Sequence, residues 1–135
     1  MHPRGQVAFE YIVFTAFLMG VAVILFAYSF ISYSTTIQVT QGQSVVDQVA
    51  NAVDFVYAKG PGNTVLIDVK LPSSVTTFLV DQNYVLMTFL PPVGGSTSVF
   101  AFTRARVTPQ QLYFEEGFYR LQVSMTDTNA SVTNT

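Results

Sequence analysis

The sequence predicts an α+β chain, in which a long N-terminal hydrophobic helix is followed by a small antiparallel, sandwich-like β head. Three observations carry this. No Asp, Glu, Lys or Arg occurs from Tyr11 to Val46. A helix-breaking Gly60-Pro61-Gly62 follows, and beyond it the apolar residues recur with a period of two rather than 3.6.

The first element is the apolar run that extends to about Tyr33. A bilayer crossing needs about 20 apolar residues, and this run supplies them. Three readings fit such a segment. A secretory signal has an apolar core of about 7–15 residues and a small-residue cut after it; this run is longer, and Ser34-Thr35-Thr36-Ile37 offers no such cut. A single-pass anchor is the second reading. The third is a leader cut before the apolar run, which leaves the oily helix on the mature chain.

Past the polar patch Ser34-Thr35-Thr36 the pattern becomes amphipathic. Val45, Val46, Val49, Val53, Val56 and Tyr57 follow helical spacing, with Gln43, Ser44, Asp47, Gln48, Asn51 and Asp54 on the other face. Gln41-Gly42-Gln43 is the expected bend, since Gly costs about 1 kcal/mol inside a helix. A continuous helix over 6–58 would be roughly 80 Å long at 1.5 Å per residue. Its second half is expected to pack its valines against the head, which spans 59–135.

Within the head, Thr64–Leu71 reads as a strand and Pro72-Ser73-Ser74 as a turn. Thr77–Val80 and Tyr84–Leu90 read as a hairpin around Asp81-Gln82-Asn83, and Pro91-Pro92-Val93-Gly94-Gly95 as a loop. Thr97–Arg104 alternates with apolar groups on both faces. Leu112–Phe114 and Phe118–Met125 are expected to form a second hairpin across Glu115-Glu116-Gly117, and Asp127–Thr135 a frayed tail. Five or six strands result, with most aromatic residues beyond Ala58 in the core.

Composition narrows the function classes. Half of the 135 residues are hydrophobic and 10% are charged, against about 25% charged in an average soluble domain. The net charge of −2 argues against nucleic acid as a partner. There is no cysteine, and the lone histidine, His2, lies in the expected leader. No catalytic, cofactor-binding or metal site is therefore expected, and an enzyme is the least favoured class. Glu115-Glu116 reads as a solvated turn rather than a carboxylate pair. Arg104 and Arg106 share one face of a strand-like stretch. A charged edge that discourages stray pairing is the expected role, and steering of an anionic partner the other. Asn129-Ala130-Ser131 is a glycosylation sequon.

Arg4-Gly5-Gln6-Val7-Ala8-Phe9-Glu10-Tyr11 resembles the class III signal peptide of archaeal type IV pilins. The likeness covers these eight residues and the helix behind them. The order of elements and the Lys59-Gly60-Pro61-Gly62 linker also resemble these proteins, less specifically. The resemblance implies a leader, residues 1–5, cut between Gly5 and Gln6 by a prepilin peptidase. Glu10 is then the fifth residue of the mature chain, where pilin-like proteins carry Glu. It further implies pairing of Glu10 with the Gln6 amine of a neighbouring subunit during assembly. The chemistry is consistent, because a free α-amine has a pKa of about 7.7–8.0 and a helix N-terminus favours anions.

Two functions follow as expectations. One is a structural subunit of a cell-surface filament, a homopolymer built through the N-terminal helix, for adhesion. Its partners are other copies of itself, the prepilin peptidase, the membrane assembly machinery, and the membrane before assembly. The other is a membrane-anchored minor pilin or binding module that does not itself form filaments.

Overall fold

A computed structural model of the chain describes residues 3–91 and 94–135, with side chains from Gly5 onward. Met1 and His2 of the expected leader, the Arg4 side chain, and Pro92 and Val93 of the expected loop lie outside the described residues. The chain is α+β as its sequence predicts. It divides into two units, Met1–Thr35 and Thr36–Thr135, with the boundary inside a helix, α1, that runs Pro3–Lys59.

Among the described residues the second unit holds seven strands, against the five or six expected: β1 Thr64–Leu71, β2 Val75–Asp81, β3 Tyr84–Phe89, β4 Thr97–Phe102, β5 Gln110–Leu112, β6 Gly117–Met125 and β7 Ala130–Asn134. They form two antiparallel sheets, of order β1-β6-β7 and β4-β3-β2-β5. Alternation decides which face each strand buries. In β1, Val69 and Leu71 are buried while Asp68 and Lys70 are exposed.

One core cluster joins the inner faces of both sheets to the helix. It contains Val45, Val46, Val49, Val53 and Val56 of α1, with Leu71, Phe78, Met87, Phe89, Leu121 and Val132 from five strands. The expected valine face is therefore the buried one. Tyr57, expected beside it, is instead half exposed. Gly60, at φ +89°, closes the helix by donating to the Val56 carbonyl, and the Asn63 amide donates to the carbonyls of Lys59 and Gly60.

Several expectations are corrected. Gly42 is not a break: the chain is helical through it, and it is buried because the Phe89 ring occupies the space of its missing side chain. Leu112 and Gly117 do not flank a hairpin. Leu112 faces Phe78 of β2, whereas Gly117 faces Leu71 of β1, so 113–116 crosses between the sheets. Phe114 anchors that crossing inward, 5.8 Å from the Phe78 ring and 4.7 Å from Tyr119. Nor is the end of the chain frayed. Ala130 and Val132 are buried on β7, and the Gln110 side chain donates to the Val132 carbonyl.

The aromatic expectation also fails in part. Beyond Ala58 only Phe78 and Phe89 are fully buried, while Phe100, Phe102, Tyr113 and Phe118 are exposed. Arg104 and Arg106 lie past the end of β4 and not on a strand.

The Gly42–Phe89 contact yields a test. Gly42→Ala gains about 1 kcal/mol of helix propensity, but the new methyl collides with a buried ring, which costs about 1–3 kcal/mol. The variant is expected to melt at a lower temperature than the parent chain in detergent, and adding Phe89→Leu should recover the loss. A raised melting temperature for Gly42→Ala alone would show that the ring yields freely.

Candidate functional site

Two kinds of surface stand out, one on each unit. In the first unit the helix presents apolar side chains all round. Phe9, Tyr11, Ile12, Phe14, Phe17, Leu18, Met19, Ile24, Leu25, Phe26, Tyr28 and Phe30 are all exposed. The helix is long and apolar enough to cross a membrane. Gly5 and Gln6, the expected cleavage pair, both lie in its first turns, and both are exposed.

Glu10 is the single acid on this unit. It shares a shallow recess on the helix surface with Phe9, Val13, Phe14 and Phe17. Val13, Phe14 and Phe17 lie three, four and seven residues on, the spacing that stacks side chains on one helix face. A carboxylate there has apolar neighbours on its own helix. Gln6 lies one turn before it, so an amine at that residue would stand on the same face. In hydrocarbon an acid costs about 2.5–3.5 kcal/mol at mid-bilayer and less near the interface, so this geometry rewards a cationic or hydrogen-bonding partner. On either side of the boundary between the units, the hydroxyls of Thr35 and Thr40 donate back to the carbonyls of Ile31 and Thr36, one turn earlier on the same helix.

In the second unit, polar contacts fix the turns. The Gln38 amide donates to Ser73 Oγ at 3.2 Å and accepts from Ser74 Oγ at 2.8 Å, which clasps the β1–β2 turn to the helix. Ser74 is left-handed there, at φ +68°. At the other end of the β2–β3 hairpin, Thr103 and Val107 donate their amides to the carbonyls of Asn83 and Gln82. Asp54 accepts from the Arg104 amide at 2.7 Å.

Asp68 and Arg120 face each other across β1 and β6 and form a two-bond ion pair, at 2.7 and 3.2 Å. The Arg120 hydrogen bond and its charge hold the Asp68 carboxyl below the usual carboxylate range, and Asp68 in turn raises the Arg120 guanidinium. The Tyr84 hydroxyl donates to Asp81 at 3.0 Å, which raises the phenol above its ordinary value.

Asn129, the sequon residue, sits half-buried in the β6–β7 turn, and its carbonyl accepts from the Thr126 amide. Ser131, the third sequon residue, lies on β7 and shares a hydrogen bond with Ser124. The sequon is thus part of a paired strand rather than a loose tail. Among the described residues no group of three or more His, Cys, Asp or Glu could hold a metal ion. Sequence reasoning missed the exposed aromatic pairs of the second unit. Strand periodicity signals which residues share a face but not which face is covered. No protein family, curated protein or solved structure compared with the chain matches it.

The Asp68–Arg120 pair predicts a pH dependence. A carboxyl with a lowered folded pKa adds stability above its unfolded pKa and loses it as pH falls through the folded value. Asp68→Asn is therefore expected to flatten the acid limb of the stability–pH curve, measured by urea unfolding between pH 7 and pH 2. Both side chains are exposed, so the effect is small. An unchanged acid limb in Asp68→Asn would assign that limb to other carboxylates.

Proposed function

We propose that this chain is a structural subunit of an archaeal type IV pilus-like surface filament. It is made as a precursor inserted in the cytoplasmic membrane, cut between Gly5 and Gln6 by a prepilin peptidase, and polymerised through its N-terminal helix. Adhesion is the role this reading gives the filament. The observation that supports it is the exposed, uncharged helix surface of the first unit with Glu10 in an apolar recess at its start.

The physical argument is one of burial. An apolar helix exposed all round is stable only among lipid tails or among other helices. A filament supplies helices, and repeated head-to-tail contacts that do not close give a fibre rather than a ring. Glu10 gives the packing a register. On a precursor among lipids its carboxylate lies in a recess lined by Phe9, Val13, Phe14 and Phe17 of its own helix. In an assembly, the Gln6 α-amine of a neighbour pairs with it at low dielectric, where charge pairs are stronger than in water. The ends of the helix suit insertion: Arg4 lies on the N-terminal side of the apolar run, as expected for a cytoplasmic terminus before cleavage.

Processing is the first test. Removing five residues from 135 leaves 130, and intact mass with N-terminal sequencing of the cell-surface form is expected to show a chain beginning at Gln6. A chain that keeps Met1, or one that begins after Tyr33, refutes the reading.

Glu10 is the second. Glu10→Gln keeps the size and removes the charge, so membrane insertion is expected to persist or improve. Filament growth is expected to slow roughly tenfold or more, the scale of losing a desolvated charge contact. Cleavage is measured in the same cells, because Glu10 lies close to the cut. Filaments of normal length and rate from processed Glu10→Gln chains would rule out the pairing. A cyclised Gln6 in native filaments would rule out the ion pair specifically.

A further inference from the structure

The sequon Asn129-Ala130-Ser131 divides into an open acceptor and a closed remainder. Asn129 ends the β6–β7 turn, next to the exposed Thr126, Asp127 and Thr128. Its backbone carbonyl accepts from the Thr126 amide, but among the described residues nothing hydrogen-bonds to its side-chain amide. Nor, among those residues, does any buried side-chain nitrogen or oxygen lack a partner. The unbonded Asn129 Nδ2 therefore opens to solvent. An open amide nitrogen in a polar turn is what an attached sugar requires, since its bulk must stand in water.

The next residues are held from both sides. Ala130 is fully buried; its amide donates to the Arg106 carbonyl and its carbonyl accepts from the Thr108 amide, both at 2.9 Å. It also forms a parallel bridge with Val107. Ser131 faces Ser124 of β6, and their hydroxyls share a hydrogen bond at 2.8 Å. One residue on, Val132 is buried opposite Val123, and its carbonyl accepts from the Gln110 side chain. β7 is thus engaged by β6 along one edge and by the 106–110 stretch along the other. The motif demands a hydroxyl at its third position, so an enzyme that reads the motif must contact that hydroxyl. In the folded chain the hydroxyl is already bonded, and the backbone beside it is taken on both edges.

We propose that Asn129 is an N-glycosylation site, and that sugar transfer precedes the closing of β7 onto β6 and the 106–110 stretch. The donor class is an oligosaccharide carried on a lipid phosphate. Asn129 Nδ2 forms a bond to the anomeric carbon as the bond from that carbon to the phosphate oxygen breaks. The lipid phosphate leaves with the electron pair, the amide proton passes to a base of the transferase, and nothing is oxidised or reduced. The order follows from the geometry: the closed turn admits the product, because Nδ2 stays open, but not the enzyme, because Ser131 does not. The Gly62 amide donates to the Met125 carbonyl, which puts the β6–β7 turn beside the Lys59 end of α1 and not the end that continues into the first unit. The proposal rests on the filament reading for one thing only, the delivery of the second unit to the outer side of the membrane.

The test takes the full chain from the native cell surface and, for comparison, from a host without such a transferase. The surface form is expected to weigh more than its polypeptide, and mass spectrometry of the fragment that carries Asn129 is expected to place the excess there. N129Q and S131A should each lose it. S131T should keep it, since the hydroxyl remains, and far-UV circular dichroism checks that all three variants fold. The order of events is tested with chain from the transferase-free host, offered folded to membranes that hold the transferase and its lipid-linked donor. A peptide of residues 124–135 is offered beside it. The peptide is expected to accept the sugar, and the folded chain to accept it about tenfold or more slowly, because only chains with β7 locally open can react. An unmodified Asn129 in surface chains overturns the proposal, and a folded chain modified as fast as the peptide overturns the order. Filaments are scored on the same cells. Filaments built of chains without the sugar would sink the glycosylation site and keep the filament reading. Sugar on Asn129 of chains that form no filaments would do the reverse. A chain found only inside the cell would sink both.

Discussion

The valine face of α1 is the constraint on which the second unit depends. Val45, Val46, Val49, Val53 and Val56 are each almost wholly removed from solvent, and they join the same cluster as Leu71 and Leu121 of one sheet and Phe78, Met87 and Phe89 of the other. Neither sheet is large. A three-stranded sheet and a four-stranded sheet of short strands each have one apolar face to cover. The helix covers both from a single row of β-branched side chains that have little rotamer freedom to lose. Gly42 extends the same logic one turn earlier, where the Phe89 ring fills the space a larger residue would need. The Gln38 clasp on Ser73 and Ser74 adds a polar contact at the next turn back.

Charge is sparing and local. The Asp68–Arg120 pair is exposed and contributes little to stability, but it lies across β1 and β6 in the register that Leu121 and Ile67 also require. Asp54 and Asp81 each take a backbone amide, Asp54 that of Arg104 and Asp81 that of Gln82, and Asp81 also accepts from the Tyr84 hydroxyl. These carboxylates fix turns where the chain leaves regular pairing. The remaining charges of the second unit lie on exposed surface. The first unit obeys the opposite rule. From Tyr11 to Thr35 it carries no charge, so its surroundings decide its stability.

Much of this was legible in the sequence because it rests on local chemistry. Helical spacing of the valines, the stop at Gly60-Pro61-Gly62 and the alternation in Thr64–Leu71 each involve neighbours in the chain, and the structure places all three as read. The turn at Glu115-Glu116-Gly117 was misread because a hairpin turn and a crossing between sheets need the same polar and flexible residues. What separates them is that Leu112 pairs with Phe78 and Gly117 with Leu71. Those partners lie more than thirty residues away in the chain, beyond the reach of any local pattern. The last strand was misread for a related reason: Ala130-Ser131-Val132 is short and mostly small, and its strand character comes from β6 beside it.

The sequence by itself determined the uncharged N-terminal helix, the Gly5-Gln6 and Glu10 pattern on it, the amphipathic second half and the change to strands after Lys59. Each follows from residue type and spacing. Only the tertiary structure decided that Gly42 is a contact and not a bend, that the strands divide into two sheets, and that Phe100, Phe102, Tyr113 and Phe118 face outward. An aromatic residue on a strand can turn to either side, and period two is blind to which side is covered. That choice is made by the partner sheet and the helix, which bury Phe78 and Phe89 and leave the other four rings exposed.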